Sequence, residues 1–238
     1  MSVADNVALV RTQIESAARR AGRDEQKIEL MAVTKTVPVE RIREAYDCGI
    51  RLFGENRVQE FDRKSPALRG LPGAVWNMIG HLQTNKAAGA VELFDAIESL
   101  DSLRLAQKLD AAAAQFAKKL TVLVEINIGG EAAKTGIAPE SEELNQLLQA
   151  APNLPSLAIS GLMTVPPYSD DPEQSRAFFR KMRELEDTIK RRGLPCVNMN
   201  VLSMGMSHDF EVAIEEGATR VRVGTAIFGE RTAARSDG

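Results

Sequence analysis

The chain is poor in cysteine and histidine, with two of each in 238 residues. Cys48 and Cys196 lie far apart and form no CxxC pair, which suits a reducing cytoplasm better than a disulfide scaffold. With so few soft ligands beside them, His81 and His208 cannot build a zinc site, and no metal is expected. Basic charge is not in excess: 30 Lys and Arg face 33 Asp and Glu, a net charge of −3. No global field therefore draws the chain to nucleic acid or to an anionic membrane. No apolar run approaches a membrane span. The opening "MSVADNVALVRTQIESAARRAG" lacks the continuous apolar centre of a signal peptide and reads as an amphipathic helix. Low-complexity linkers and breaks in composition are also missing, so one domain in the cytoplasm is expected.

What is present is ordinary globular material, 44% hydrophobic and 26% charged, enough to bury a sizeable core. Strand-like apolar runs recur with helical patterns between them. "IELMAVTK" (28 to 35) precedes "VPVERIREAYDCG", where Val39, Ile42, Ala45 and Tyr46 share one helical face. Pro38 suits the start of that helix and Gly49 its end. "IRLFGEN" (50 to 56) leads into "RVQEFDRKSPAL", and "VWNMIG" (75 to 80) into "HLQTNKAAGAV". "LFDAIESL" (93 to 100) is followed by Asp101, a suitable N-cap, and by a run rich in helix formers. "LTVLVEINIG" (120 to 129) is the longest strand candidate, followed by a helix over 140 to 151. "LAISGLMTV" (157 to 165), a helix over 172 to 193, "VNMNVLSMG" (197 to 205), "SHDFEVAIEEG" and "TRVRVGTAIFG" complete the order.

Eight strands alternating with helices, with a ninth helix at the N-terminus, imply right-handed crossovers and a parallel sheet. An open doubly wound sheet is the main competitor, but no strand is followed by GxGxxG. The predicted fold is α/β: a single-domain (β/α)8 TIM-type barrel over residues 1 to 231 with an extra N-terminal helix. Residues 232 to 238 read as a flexible tail.

In such barrels the chemistry sits at the C-terminal strand ends, and phosphate binds in the loops after the seventh and eighth strands. Those loops read "SMGMSHD" and "GTAIFGE", offering Ser203, Gly205, Ser207, Gly224 and Thr225. Glycine lets backbone N–H groups approach an anion, and a helix start adds a favourable dipole. Any one such loop is ordinary turn chemistry; two in the expected places point to phosphate. Lys35 ends the first strand beside apolar Met31 and Val33, where lost solvation favours a neutral amine, the nucleophile of a Schiff base. A lysine paired with Glu55 or Glu125 is the equal alternative. Arg222 sits in a run of valines at the neighbouring eighth strand, where an unpaired charge would be costly, so it is expected to face a ligand. An amine, a phosphate site and a ring partner together are what pyridoxal 5′-phosphate requires.

Other features read as structure. "GGEAAKTG" (129 to 136) resembles a P-loop but has Ala133 before Lys134, so the GK[ST] core is missing. "SHD" at 207 to 209 is no catalytic triad, because sequence neighbours point apart. "KRR" at 190 to 192 complements a helix dipole. Phe178, Phe179, Met182, Leu185 and Ile189 follow core spacing, and both cysteines read as buried small hydrophobes.

"AVTKTVP", "FGENRVQE", "MIGHLQTNK", "GLMTV" and "LSMGMSHDFEVAIEEGATRVRVGTAIFG" closely resemble the pyridoxal phosphate homeostasis proteins, the YggS/PROSC family. The likeness runs from the N-terminal helix to about Arg231. It implies a barrel like the N-terminal domain of alanine racemase, with the cofactor at its mouth. By position, Lys35 would form the aldimine, and Ser203, Gly224 and Thr225 would hold the phosphate with backbone help near Met206 and Ser207. Asn56 would lie near the ring and Arg222 would face the pyridine nitrogen. One departure is visible: the family commonly reads "WHFIG" where this chain has "WNMIG", so Asn77 replaces a histidine.

A guanidinium beside the pyridine nitrogen disfavours its protonation and weakens the ring as an electron sink. Fold relatives that racemise amino acids add a second domain and a second base, for which no sequence is left here. The expectation is a cofactor holder that buffers or delivers pyridoxal phosphate without robust catalysis. Apo forms of enzymes that use the cofactor are the expected recipients, and a monomer is the expected state. The alternatives are an amino-acid racemase of the alanine racemase type and a lysine-dependent aldolase.

Overall fold

The first helix, α1 (Val3–Arg20), begins where Ser2 and Asp5 form a reciprocal capping box, the Ser2 hydroxyl accepting from the Asp5 N–H at 3.1 Å. Val3, Val7, Val10, Ile14, Ala17 and Ala18 form its buried stripe. The computed structural model describes residues 1–131 and 134–229. The expected tail at 232 to 238 and the domain boundary at 231 lie outside the described residues.

Eight strands follow, each with a helix after it. β1 (Glu29–Val33), β2 (Leu52–Glu55), β3 (Val75–Met78) and β4 (Ala96–Leu100) lead to α2 (Val39–Asp47), α3 (Val58–Leu68), α4 (Ala87–Leu93) and α5 (Leu103–Gln115). β5 (Leu120–Glu125), β6 (Leu157–Met163), β7 (Val197–Ser203) and β8 (Arg220–Val223) lead to α6 (Glu142–Gln149), α7 (Arg176–Arg191), α8 (Phe210–Glu215) and the single turn α9 (Thr225–Phe228). The strands pair in sequence order, and β1 returns to β8, with Glu29 opposite Arg220 and Ala32 opposite Val223, closing a parallel barrel. The predicted (β/α)8 barrel with an extra N-terminal helix is the fold observed.

The barrel interior is charged rather than uniformly aliphatic. β4 and β8 lie on opposite sides of an eight-stranded ring, yet Glu98 Oε1 accepts from Arg220 Nη1 at 2.6 Å, so these side chains cross the lumen. Glu98 is fully buried and also accepts from Asn77 Nδ2 (2.8 Å) and the Ser203 hydroxyl (2.6 Å). Arg220 is bound on its other side by Glu29 Oε2 at 2.6 and 2.9 Å. A buried charge without such partners would be expelled or neutralised.

Several local expectations shift. "HLQTNK" is not helical from its start: a 3-10 turn at Thr84–Lys86 precedes α4. β4 begins only at Ala96, because α4 runs to Leu93 with Phe94 as its C-cap; the Asp95 carboxylate accepts from the Trp76 N–H at 2.8 Å. Ser102, not Asp101, caps α5 through its hydroxyl, while Asp101 pairs with His81 at 3.0 Å. The expected helix over 172 to 193 opens as a 3-10 turn from Pro172 before α7 starts at Arg176. Cys48 is half-buried, and Cys196 is exposed with φ +62 in the turn before β7, so Cys196 is not the core residue expected.

Candidate functional site

A cavity of about 790 Å³ opens at the C-terminal ends of the strands, within the range of small-molecule sites. Seven of the eight residues singled out from the sequence line it: Lys35, Asn56, Met206, Ser207, Arg222, Gly224 and Thr225. Val33, Ile79, Val165 and Ala226 add an apolar wall, and Tyr168 and His208 complete the lining. Among the described lining residues there is no Asp or Glu. The site is therefore donor-rich and cationic, which suits an anionic ligand.

Each group arrives for a local reason. Lys35 follows β1 in a tight turn closed by the Val37 N–H donating to the Thr34 carbonyl at 3.0 Å. Asn56 follows β2, and the chain beyond β3 passes so close that a Cβ on Gly80 would stand 2.4 Å from the Asn56 carbonyl oxygen. Arg222, 4% exposed, points into the barrel from β8. Its Nη1 donates to the Ser203 hydroxyl and its Nη2 to the Thr164 carbonyl, both at 2.7 Å. Burial lowers its pKa, countered by the Glu98, Asp209 and Glu125 carboxylates.

Ser203 is the one residue of the eight that does not line the cavity. It is fully buried behind the cavity wall, its hydroxyl donating to Glu98 and accepting from Arg222. These bonds tie Ser203 to Glu98 on one side and to Arg222 on the other. The Met206 N–H is likewise engaged, donating to Asp209 Oδ1 at 2.6 Å. At the start of α9, the Gly224 and Ala226 N–H groups converge on the Ser207 hydroxyl at 3.2 and 3.3 Å. Asn6 on α1 holds that turn from behind, donating to the Ile227 carbonyl at 2.8 Å, and Arg41 on α2 donates to the Phe228 carbonyl at 2.5 Å.

The two carboxylates weighed as partners for Lys35 have other engagements. Glu55 accepts from the Thr34 hydroxyl (2.8 Å) and pairs with Lys64 (3.1 Å). Glu125 accepts from the Thr135 hydroxyl at 2.8 Å. Burial pushes the pKa of both upward. Sequence reasoning missed Glu98 and Arg220. Their signal was the one that flagged Arg222, a charge inside an apolar strand run.

The model of the alanine racemase N-terminal domain matches residues 6–232. A pyridoxal phosphate homeostasis protein from Aquifex aeolicus is 47% identical over 97% of this chain and 99% of its own length. PipY of Synechococcus elongatus, in a structure with PLP bound, is 36% identical with a TM-score of 0.82, covering 96% of this chain and all of that one. Alanine racemase from Streptomyces coelicolor shares the fold alone, at 19% identity and a TM-score of 0.67. The match covers 94% of this chain and 58% of the racemase. A barrel of this topology, matched along nearly its whole length, places the chain among the pyridoxal phosphate homeostasis proteins, built on the alanine racemase N-terminal fold.

Proposed function

We propose that the protein holds pyridoxal 5′-phosphate at the barrel mouth, linked to Lys35 as a Schiff base, and buffers or delivers the cofactor inside the cell without robust turnover. One observation carries the reading: the cavity gathers Lys35, Arg222 and the start of α9 and has no carboxylate among its described lining residues. When bound, the cofactor supplies an aldehyde and an electron-accepting ring. Lys35 would hold the group through its amine, the nucleophile suited to that aldehyde. Gly224, Thr225 and Ala226 present the start of α9 to the phosphate, with the Ser207 and Thr225 hydroxyls beside them. Asn56 would lie against the ring. Arg222, always charged at physiological pH, would face the ring nitrogen and disfavour its protonation. That weakens carbanion stabilisation and supports holding over catalysis. The names of the relatives and the PLP in the PipY structure support the same ligand. We take the monomer as the working form and apo enzymes that need the cofactor as recipients.

The test is the absorbance of wild type and Lys35→Ala after adding pyridoxal phosphate and removing the excess. A visible imine band in wild type, reducible by borohydride and missing in the variant, is the expected result. A colourless wild type overturns the reading and returns Lys35 to an ion-pair or aldolase role. Incubation with single L-amino acids and chiral analysis then separates holder from racemase, with no accumulation of D-isomer expected.

A further inference from the structure

Thr36, the residue after Lys35, has φ +62. A β-branched side chain rarely adopts the left-handed region, and the third position of such a turn ordinarily takes Gly or Asn. A strained backbone persists only where its surroundings hold it. Here the supports come from one turn of α3. The Glu60 carboxylate accepts from the Thr36 N–H at 2.5 Å, and Lys64, four residues on, donates to Glu60 at 2.6 Å. Lys64 also donates to the Thr34 carbonyl at 2.9 Å and reaches Glu55 at 3.1 Å, while Glu55 takes the Thr34 hydroxyl. The residues on both sides of Lys35 are thus gripped by a single clamp. Glu60 stands in the "FGENRVQE" stretch, where only Glu55 and Asn56 were singled out from the sequence.

We propose that Glu60, with Lys64, is a positioning residue that fixes the strained turn at Thr36 and so sets how Lys35 is presented to the cavity. The inference rests on Lys35 being the cofactor-bonding amine. Thr36 itself does not line the cavity. Its conformation shapes the tight turn that anchors Lys35 at the end of β1.

The experiment uses the full chain with Glu60→Ala, Glu60→Gln and Glu60→Ala/Thr36→Gly. The first readout needs no cofactor: amide hydrogen exchange at Thr36 by NMR, alongside the thermal midpoint. The second is the rate at which the imine band grows after pyridoxal phosphate is added. Glu60→Ala is expected to speed Thr36 exchange and slow capture, each on the order of tenfold, as the turn samples other conformers. Glu60→Gln keeps an acceptor oxygen and shows a smaller change of the same sign. Glycine adopts positive φ without strain, so Thr36→Gly restores capture in the Glu60→Ala background. Unchanged capture in folded Glu60→Ala overturns the proposal, as does a double variant no faster than the single one. If Glu60→Ala does not fold, wild-type exchange and capture in Glu60→Gln overturn it. A wild type with no band removes Lys35 as the amine, a failure of the earlier reading that is distinct from these.

Discussion

Ser203 shows how one hydroxyl divides two roles. A phosphate ligand and a prop behind Arg222 differ in what they do to the unphosphorylated cofactor. In Ser203→Ala, Glu98 and Arg222 each lose a buried hydrogen bond, for about 1–3 kcal/mol of stability measured by urea unfolding. Because the group lost orients Arg222, affinity for pyridoxal and for pyridoxal phosphate is expected to fall by the same factor; a loss confined to the phosphorylated form would return Ser203 to the phosphate site. Glu125 gives a second residue-scale test. Burial raises its folded pKa above the ordinary 4.5, so its contribution to stability is present below that value and is lost as pH rises through the folded pKa. Glu125→Gln cannot ionise and keeps an acceptor for Thr135. Its stability should match wild type in acid and exceed it increasingly toward neutral pH, in unfolding curves taken across that range. Arg222 was legible from its valine neighbours. The inward turn of Ser203 was not, because its partner Glu98 lies 105 residues away and only barrel closure brings them together.

At the scale of elements, strands were easier to read than their ends. Apolar runs placed all eight, since period and composition are local properties. The boundaries depended on neighbouring and tertiary contacts: α4 runs through Leu93 into the predicted β4, and the pairing of Asp101 with His81 left the cap to Ser102. The strain at Thr36 was equally hidden, because nothing in "AVTKTVP" calls for positive φ; the support comes from α3, three elements later. One element depends on others in a testable way. α9 is a single turn, and Asn6 of α1 binds its Ile227 carbonyl from a buried position. Asn6→Ala is expected to cost about 0.5–1.5 kcal/mol and to loosen the start of α9. Affinity for pyridoxal phosphate should therefore fall more than affinity for pyridoxal in parallel titrations. Equal losses would separate α1 from the phosphate end.

At the scale of the molecule, counting strands and helices sufficed for the barrel, because a closed parallel ring is the usual arrangement for eight such units. The contents of that ring were not countable. Arg220 and Glu98 are 122 residues apart, and Glu29, Asn77, Ser203 and Arg222 join them from four other strands or strand positions. An aliphatic barrel would hold layers of valine, isoleucine and leucine there.

The crossing of the lumen by paired ions also bears on how the protein responds to temperature. Apolar surface exposed on unfolding raises the heat capacity, whereas polar surface lowers it. A barrel whose axis is occupied by Arg220, Glu98 and Arg222 releases polar groups where its aliphatic counterpart would release hydrocarbon. Calorimetry should therefore give a heat-capacity increment slightly below that of a barrel of equal size with an aliphatic interior. The stability curve is correspondingly shallow, so cooling and warming around the optimum change the folded population less than in a barrel filled with valine.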